Sequence, residues 1–436
     1  MPGDVVEKNP KALFKTVSVF GLGYVGLPVS AVLASRGVEV IGVDVNPTAV
    51  SMINSGRIHI VEPDLEMLVQ AAVSNGKLRA TMEPEPADAF VIAVPTPFTE
   101  DRKPDLTYVR QATEAIAPLL RKGNLVILES TSPVGTTELI CKWIGEKRPD
   151  LLMPDATREE ADVQVAHCPE RVLPGTVLRE LIYNDRIIGG ISPACARRGG
   201  DLYSLFVTGE LHLTTARTAE LGKLVENAFR DVNIAFANEL SVICDELHVN
   251  VWELIDLANH HPRVNILKPG PGVGGHCIAV DPWFIISAVG DKARVMRAAR
   301  DVNDAMPDRV VGKVKAAAGK FRQPKVACLG LAYKPNIDDL RESPAVHVVE
   351  TLAKADVGEL LVVEPNVKEL PASLRDLPGL RKVELREALD EADIVVLLVD
   401  HRQFLRIDRE LLDLKIVIDT RGALRTSMPE KYYPGA

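Results

Sequence analysis

The feature that most constrains the fold is a strand–loop–helix pattern that occurs twice in the chain. In the first copy an apolar stretch, Val17–Phe20, leads directly into Gly21-Leu-Gly23-Tyr-Val-Gly26, and a helical pattern follows. In the second copy, Gly330-Leu-Ala-Tyr333 follows the apolar stretch of KVACLGLAY in the same way. Apolar strands that alternate with helices predict parallel sheets covered by helices. We therefore expect an α/β chain with two Rossmann-like doubly wound domains.

The glycine spacing of the first copy indicates a class of ligand. A G-x-G-x-x-G sequence between a strand and a helix, with an acid, Asp44, 18 residues past its last glycine, is the dinucleotide fingerprint. Gly21, Gly23 and Gly26 would let a pyrophosphate approach the N-terminus of the helix. Because an acid can bind both ribose hydroxyls and repels a 2′-phosphate, NAD is favoured over NADP. The alternative is a tight βαβ turn that binds nothing.

Two further apolar strands end in hydroxyl-bearing residues. AFVIAVPTP (89–97) and LVILESTSPVGT (125–136) place Thr96 and Thr131 at these ends. The carboxyl edge of a parallel sheet is where ligands bind, so both threonines are candidate cofactor or substrate contacts. They fit equally well as simple strand-ending hydroxyls.

Between the two copies, residues 215–247 have the pattern of one long helix without proline, and a second helical stretch follows near 292–320. Lys223, Asn227 and Arg230 are spaced at i, i+4 and i+7, so they project from one helix face. Such a stripe is often solvated, but its neighbours are apolar, which favours a partly buried helix with polar groups aimed at a site. We expect a helical middle segment with a long central helix to join the two Rossmann-like domains.

A glycine-rich segment follows, GPGVGGHCIAVD, which we call the cysteine loop (Gly270–Asp281). It places four glycines just before Cys277 and an aspartate, Asp281, four residues after it. Glycines at this density let backbone pass close to another group, and a thiol at the end of such a loop can be approached by a substrate. The alternative is a glycine-rich turn and a buried cysteine that acts as a small hydrophobe.

Length and composition set the outer limits. A chain of 436 residues is too long for one ordinary core, and the patterns above divide it at 1–210, 211–315 and 316–436. The net charge of −9 argues against nucleic acid as the main partner, although local cations can still hold an anionic substrate. We expect no membrane span, no secretory signal in MPGDVVEKNPKALFK, and no metal site. The six scattered cysteines favour a cytoplasmic protein with reduced thiols.

Several of these segments together resemble the UDP-glucose/GDP-mannose dehydrogenase family over nearly the full length of the chain. The motifs that carry the resemblance are FGLGYVGLP, VDVN, VPTP, ESTSPVGT, CPERVLPG, AELGKLVENAFRDVNIAFANEL, NHHPRVNILKPGPGVGGHCIAVDPWF and LGLAYKPNIDDLRESP. CPERVLPG and the segment HPRVNI…GPGVGGHC are similar to the branch that acts on UDP-2-acetamido sugars. The resemblance implies NAD as cofactor, a UDP-N-acetyl sugar as substrate and a homodimer or higher homo-oligomer. Among such sugars the resemblance favours UDP-N-acetyl-D-mannosamine as the substrate, with UDP-N-acetyl-D-glucosamine or UDP-glucose as alternatives.

The resemblance also implies roles for individual residues. Cys277 would be the nucleophile, Lys223 the acid/base or oxyanion-stabilising group, Asn227 a second oxyanion donor and Asp281 the residue that orients or activates water. Glu170 would assist in catalysis from a loop that would otherwise be taken as solvated. The implied NAD contacts are Tyr24, Val25, Asp44, Thr96, Thr131 and Arg341, beside the fingerprint glycines. The implied sugar-nucleotide contacts, beside Lys223 and Asn227, are Arg171, Val172, Arg230, His261, Arg263, Gly274, Tyr333, Lys334 and Arg421. Ala49 stands where relatives often carry an arginine, which puts the adenosine-side contacts in question.

Two other functions compete with this interpretation. A two-electron dehydrogenase of the hydroxyacid or 6-phosphogluconate type would use Lys223 and Asn227 and leave Cys277 without a role. The glycines around Cys277 and the second nucleotide-type domain argue against it. A non-catalytic NAD-binding protein would need neither the thiol nor the lysine–asparagine pair. We therefore expect a four-electron oxidation of a sugar CH₂OH to a carboxylate by way of a cysteine thioester.

Overall fold

A computed structural model describes residues 13–424, except 61, 100, 159, 173, 174 and 276. The chain forms two compact units, Met1–Val225 and Glu226–Ala436. This division passes through the long central helix, Ala216–Leu247, which the sequence predicts almost to the residue. The three-part division of the chain at residues 210 and 315 stays a prediction.

The first unit is built on an eight-stranded sheet in the order β3-β2-β1-β4-β5-β6-β7-β8. Neighbouring strands are parallel except for β6 and β7, which are antiparallel. Strands β1 to β5 have the 3-2-1-4-5 order of a doubly wound sheet, and β6 to β8 extend it on one side. The strands are β1 (Thr16–Phe20), β2 (Glu39–Val43), β3 (Leu78–Thr81), β4 (Ala89–Ile92), β5 (Asn124–Leu128), β6 (Val163–His167), β7 (Arg186–Gly190) and β8 (Leu211–Thr215).

The helices of the first unit complete its apolar core. The first of them buries every residue from Gly26 to Ala34, as expected for a helix that opens directly from the glycine turn onto the sheet. The helices are α1 (Gly26–Ser35), α2 (Pro47–Asn54), α3 (Leu65–Ser74), α4 (Thr107–Ile116), α5 (Thr136–Lys147), α6 (Val177–Tyr183), α7 (Pro193–Tyr203) and the start of α8 (Ala216–Leu247).

The second unit carries a five-stranded, all-parallel sheet in the order β11-β10-β9-β12-β13. This is the order of β3-β2-β1-β4-β5 in the first unit, so the prediction of a repeated strand–turn–helix architecture is confirmed. The fold class, two Rossmann-like sheets with a helical segment between them in sequence, is confirmed as well. The strands are β9 (Lys325–Leu329), β10 (Glu359–Val363), β11 (Leu380–Lys382), β12 (Ile394–Leu397) and β13 (Ile416–Asp419).

Helices precede and cover this second sheet. The segment before β9 contains a 25-residue helix that includes Pro307. Among the described residues no helix is both long enough and apolar enough to cross a bilayer. The helices are the remainder of α8, α9 (Val251–Ala258), α10 (Asp281–Val289), α11 (Arg294–Ala318), α12 (Pro344–Lys354), α13 (Ala372–Arg375) and α14 (Leu385–Glu391).

One buried histidine predicts how the stability of the chain depends on pH. His167 ends β6 with no exposed surface, and burial, partly opposed by the Leu128 backbone, lowers its pKa to about 3. The unfolded chain therefore binds a proton at this site below pH 6.5 while the folded chain does not, so stability falls as the pH drops from 6.5 towards 3. We expect His167→Gln to remove about 1–2 kcal/mol of the loss between pH 7.5 and 5.5, measured by urea unfolding. His59→Gln, the same exchange at an exposed position, is the control. If the stability of His167→Gln depended on pH as that of the wild type does, the prediction would be contradicted.

Candidate functional site

The glycine turn after β1 has room for a ligand on one face only. Gly21 has a φ of +87°, and a Cβ there would lie 2.6 Å from the carbonyl oxygen of Ala93. A Cβ on Gly26 would lie 1.9 Å from the carbonyl oxygen of Gly21, so neither position accepts a side chain. Gly23 has no heavy atom within 4 Å of its hypothetical Cβ. The first and third glycines therefore shape the turn, and the second leaves space for the close approach of a pyrophosphate.

Asp44 is held beside this turn by two backbone groups. Its Oδ2 accepts a hydrogen bond from the N–H of Leu22 (2.8 Å), and its Oδ1 accepts one from the N–H of Asn46 (2.9 Å). The carboxylate is half-buried, and each oxygen keeps a second lone pair for a ribose hydroxyl. Next to it, Tyr24 is 44% exposed and Val25 is half-buried. The residues present therefore fit a dinucleotide, and they would hold its pyrophosphate and one ribose.

The predicted threonines lie together at the carboxyl ends of β4 and β5. The Thr96 hydroxyl donates to the carbonyl oxygen of Thr131 at 2.5 Å, and the Ser130 hydroxyl donates to the carbonyl oxygen of Val94 at 2.6 Å. These bonds tie the two strand ends to each other. The Thr96 hydroxyl can still accept a hydrogen bond from a ligand, so both threonines remain candidate cofactor contacts.

The loop after β6 is anchored by a residue that the sequence did not single out. The buried Glu62 accepts hydrogen bonds from the N–H groups of Gly175 and Val177, both at 2.8 Å. Within the loop, Glu170 accepts from the N–H of Val172, while the Arg171 guanidinium donates to a backbone carbonyl at 3.3 Å. Glu170, Arg171 and Val172 are each half-buried. A loop that sequence alone would leave solvated is therefore fixed in place.

A second acid lies near Glu170 in the interior of the unit. Glu129, the residue after β5, has no exposed surface, and burial raises its pKa to about 7 against the opposing charge of Arg186. The charge of Glu170 raises this pKa further. Glu129 belongs to the ESTSPVGT motif, but nothing in that motif distinguishes a buried acid from an exposed one. The electrostatics of the Glu170 loop thus include a buried acid and a buried arginine.

Helix α8 begins with an anchoring acid and then presents Lys223. Glu220 is 1% exposed and accepts hydrogen bonds from the N–H groups of Gly135 (2.6 Å) and Thr137 (2.7 Å), at the start of α5. Acids are favourable at helix N-termini, so this contact fixes α8 against α5. Lys223, one turn later, is 8% exposed. Further along the predicted stripe Asn227 is half-buried and Arg230 is exposed, so burial falls steadily along it.

In the second unit three predicted catalytic residues are linked directly. The amide Nδ2 of Asn227 donates to Oδ2 of Asp281 at 2.5 Å. The backbone N–H of Asp281 donates to the carbonyl oxygen of Cys277 at 2.9 Å. Asp281 is 4% exposed and begins helix α10, whereas Cys277 is half-buried. The cysteine therefore lies on a turn that leads straight into a helix whose first residue is held by α8.

The glycines of the cysteine loop lie where its backbone passes close to other groups, as the sequence predicts. A Cβ on Gly275 would lie 2.8 Å from the Tyr333 ring, and one on Gly274 would lie 2.6 Å from the Pro344 side chain. A Cβ on Gly270 would lie 2.5 Å from the Arg421 guanidinium. These glycines allow the loop to pack against the second sheet's own turns, so close packing within the protein accounts for them. Gly274 and Tyr333 as substrate contacts stay predictions.

The remaining predicted contacts are spread over the second unit. Arg230, His261, Arg263 and Lys334 are exposed. The Arg421 Nε donates to Asp400 at 2.9 Å, and Arg341 pairs with Asp339 at 2.6 Å. Arg341, expected at NAD, belongs to the unit that does not carry the glycine fingerprint, and its NAD contact stays a prediction. Within the described part of the chain no group of three or more His, Cys, Asp or Glu side chains suits a metal ion.

The open face of the glycine turn yields a test of cofactor binding. We expect Gly23→Ala to leave the thermal unfolding midpoint unchanged, since its Cβ meets no protein atom, and to weaken NAD binding at least about tenfold because the pyrophosphate must come close. Calorimetric titration with NAD measures this. Gly312→Ala, in a helix where a Cβ also meets nothing, is the matched control and should bind NAD normally. Full NAD affinity in Gly23→Ala would show that the dinucleotide does not use this turn.

Comparison with known proteins identifies the family of the chain. Three domain models of the UDP-glucose/GDP-mannose dehydrogenase family match the chain in order: the NAD binding domain over residues 15–207, the central domain over 217–305 and the UDP binding domain over 327–426. The chain is 63% identical to an NDP-N-acetyl-D-galactosaminuronic acid dehydrogenase of Ralstonia nicotianae, covering 94% of this chain and 96% of the relative. It is 57% identical to the UDP-N-acetyl-D-mannosamine dehydrogenase of Escherichia coli K12, covering 94% and 100%.

A solved structure shows the same fold. The UDP-D-ManNAc dehydrogenase of Pyrococcus horikoshii superposes with a TM-score of 0.84 at 38% sequence identity, covering 95% of this chain and 96% of that one. The family models account for the NAD-type turn of the first unit and for the second sheet. The chain belongs to the UDP-glucose/GDP-mannose dehydrogenase family and is an NAD-dependent oxidoreductase that acts on a UDP-sugar.

Proposed function

We propose that the chain oxidises C6 of UDP-N-acetyl-D-mannosamine from an alcohol to a carboxylate, giving UDP-N-acetyl-D-mannosaminuronate. The observation that carries the proposal is the link from Asn227 through Asp281 to Cys277. The amide of Asn227 donates to the carboxylate of Asp281, and the backbone of Asp281 donates to the backbone carbonyl of Cys277. These contacts keep close together the residues that carry an amide donor, a carboxylate and a thiol, the groups that a covalent four-electron oxidation requires. A two-electron alcohol dehydrogenase would need neither the thiol nor the carboxylate beside it.

The chemistry has two oxidations and one hydrolysis. NAD⁺, when bound, supplies the oxidant for each of the two oxidations, because it can accept two electrons and one proton together as a hydride. Removal of the first pair of electrons and of the hydroxyl proton gives an aldehyde. The Cys277 thiolate adds to the aldehyde carbon, and the resulting thiohemiacetal is oxidised to a thioester. Water then displaces the thiolate, so that one CH₂OH, one water and two NAD⁺ give one carboxylate, two NADH and three protons. Covalent attachment also retains the reactive aldehyde.

The surrounding residues act on charge and protons. Asn227 gives one amide N–H to Asp281 and keeps a second for an oxyanion. Lys223, one helical turn away, would be the acid/base or a second oxyanion donor. Asp281 would orient or activate the water that hydrolyses the thioester, since it is the first residue of the helix that follows Cys277. Glu170 would assist from its anchored loop.

Two relatives point to different sugars as the substrate. The UDP-N-acetyl-D-mannosamine dehydrogenases of E. coli and of P. horikoshii, which cover almost the whole chain, favour UDP-N-acetyl-D-mannosamine. A second candidate is UDP-N-acetyl-D-galactosamine, because the R. nicotianae relative at 63% identity is named for N-acetyl-D-galactosaminuronic acid. Both sugars share the 2-acetamido group and the C6 alcohol, so the reaction is the same for either.

The stoichiometry of NADH tests both the chemistry and the substrate. We expect two NADH per molecule of limiting UDP-N-acetyl-D-mannosamine, and little NADH from UDP-N-acetyl-D-galactosamine, UDP-N-acetyl-D-glucosamine or UDP-glucose, measured by absorbance at completion. Cys277→Ser should stop at the aldehyde level and release at most one NADH. Two NADH from Cys277→Ser would refute the thioester route. Turnover of another sugar alone would keep the mechanism and replace the substrate.

The central helix supports the proposal that the enzyme is a homo-oligomer. On α8, Phe229 is 68% exposed, Phe236 51%, Ile243 44% and Leu247 66%. Their spacings of seven, seven and four residues align them along one helix face, as in paired helices. Exposed aromatic residues at this density are typical of protein interfaces. The proposed occupant is the same helix of a second copy, since a two-fold axis would bring one apolar stripe against another.

Introducing negative charge on this helix face tests the proposed dimer. We expect Phe229→Asp with Phe236→Asp to yield a monomer, because two buried carboxylates per subunit are costly at an apolar interface; sedimentation equilibrium measures the mass. Leu414→Asp, at a residue that is 99% exposed outside this helix, is the control and should keep the wild-type mass. A wild-type chain that is already monomeric would contradict the proposal.

The six free cysteines agree with the proposed cytoplasmic location, where thiols stay reduced.

A further inference from the structure

A buried chain of hydrogen bonds connects helices α8 and α11 to the start of the cysteine loop. The backbone N–H of Gly270 donates to Oδ1 of Asn238 (2.8 Å). Nδ2 of Asn238 donates to Oδ1 of Asn303 (2.8 Å), and Nδ2 of Asn303 donates to Oδ1 of Asp231 (2.8 Å). The three side chains are at most 1% exposed. The position of the loop backbone is thus linked to a carboxylate in the interior of the second unit.

The direction of each hydrogen bond in this buried series is fixed by which groups can donate and which can only accept. A carboxylate only accepts hydrogen bonds, so Asp231 requires Asn303 to present its Nδ2. The oxygen of Asn303 then faces Asn238, which must present its own Nδ2 in turn. The oxygen of Asn238 is left facing the backbone N–H of Gly270. A reversed amide at any step would set oxygen against oxygen or nitrogen against nitrogen.

The negative charge of Asp231, where this series of hydrogen bonds ends, is balanced by a neighbouring arginine. The Arg300 guanidinium, 2% exposed, donates to Oδ1 of Asp231 at 2.6 Å and also pairs with Asp304. A buried carboxylate is stable when it is paired and hydrogen-bonded. Asp231 is therefore held as the acceptor from which the orientation of both asparagines follows.

The same face of α8 also holds the other end of the loop. Asn227, Asp231 and Asn238 are spaced at i, i+4 and i+11, which places them on one face. Asn227 binds Asp281, where the loop ends, and Asn238 binds Gly270, where it begins. The two asparagines are separated by about 16 Å along the helix axis, from the rise of 1.5 Å per residue. One rigid helix therefore fixes the distance between the two ends of the segment that carries Cys277.

We propose that Asn238 is a positioning residue for the reaction: it fixes the start of the cysteine loop, with Asp231 and Asn303 setting the direction in which its amide points. This inference rests on the proposed function, in which Cys277 is the nucleophile. Asn238 itself is remote from the reacting atoms in the chain of contacts and acts through the loop. Its loss releases one end of the segment while Asn227 retains the other.

The first test compares two buried asparagines. Asn238→Ala should accelerate hydrogen exchange in a peptide spanning residues 268–282 about tenfold and lower kcat at least about tenfold, with KM for NAD unchanged. The control is Asn124→Ala in the first unit. Asn124 is 7% exposed, accepts from the N–H of Arg121 (2.7 Å) and donates to the carbonyl oxygen of Ala87 (3.0 Å). It should lower the unfolding midpoint without changing exchange in residues 268–282.

A second test exchanges the positions of the carboxylate and the amide. Asp231→Asn replaces the carboxylate that accepts from both Arg300 and Asn303 with an uncharged amide, which weakens the buried hydrogen bonds at this end. We therefore expect faster loop exchange and a lower kcat. The double variant Asp231→Asn with Asn303→Asp restores a carboxylate next to Asn238 and keeps Arg300 within one helical turn of it. This double variant should recover both loop exchange and kcat towards wild type. Failure of rescue with a folded double variant would overturn the assigned direction of the chain.

The readouts separate failure of this inference from failure of the proposed function. Unchanged loop exchange in Asn238→Ala would overturn the positioning role, whatever the reaction proves to be. Faster loop exchange with unchanged kcat would also overturn it, since the loop would then be fixed without consequence for catalysis. Two NADH per sugar from Cys277→Ser would refute the thioester route alone, and loop exchange would still report on Asn238.

Discussion

Both sheets depend on the same kind of contact. An acid at the end of the second strand accepts hydrogen bonds from the backbone of the turn that follows the first strand. Asp44 accepts from the N–H groups of Leu22 and Asn46. Glu364, at the matching place in the second unit, accepts from the N–H groups of Leu331 (2.7 Å) and Asn366 (2.9 Å). In each unit the acid ties the turn after the first strand to the end of the second. The turn N–H groups are thereby satisfied in a conformation that regular pairing cannot reach.

The same contact explains why the two units suit different ligands. Asp44 is half-buried, and its oxygens remain open to ribose hydroxyls. Glu364 is 2% exposed, and its longer side chain also meets His401 at 3.1 Å, so its oxygens are committed within the protein. The Asn336 N–H donates to Nδ1 of His401 at 2.9 Å, which leaves Nε2 to donate to Glu364. An acid used in this way cannot bind a dinucleotide ribose, in keeping with the UDP binding domain matched here.

The sequence predicts whatever has a local period or a local turn. The repeated strands, the three glycines, Asp44 and the span of α8 all belong to that class, because each depends on residues close together in the chain. The anchors do not: Glu62 binds a loop 113 residues away, and Glu220 binds Thr137 across 83 residues. Such pairs leave no spacing pattern in one sequence. The sequence does not predict the antiparallel pairing of β7 with β6 for the same reason. This pairing depends on the rest of the sheet and is not encoded in the five residues of β7.

The cysteine loop shows how local and distant causes combine. Its glycine content is visible in the sequence, but the reason for it lies in Tyr333, Pro344 and Arg421, which occupy the places of the missing side chains. Packing of this kind restricts the loop laterally, whereas the asparagines of α8 fix it lengthwise. A loop with so many glycines would otherwise have a large conformational entropy. The geometry of Cys277 is therefore determined by the rigid elements around the loop, because the loop sequence itself imposes little order.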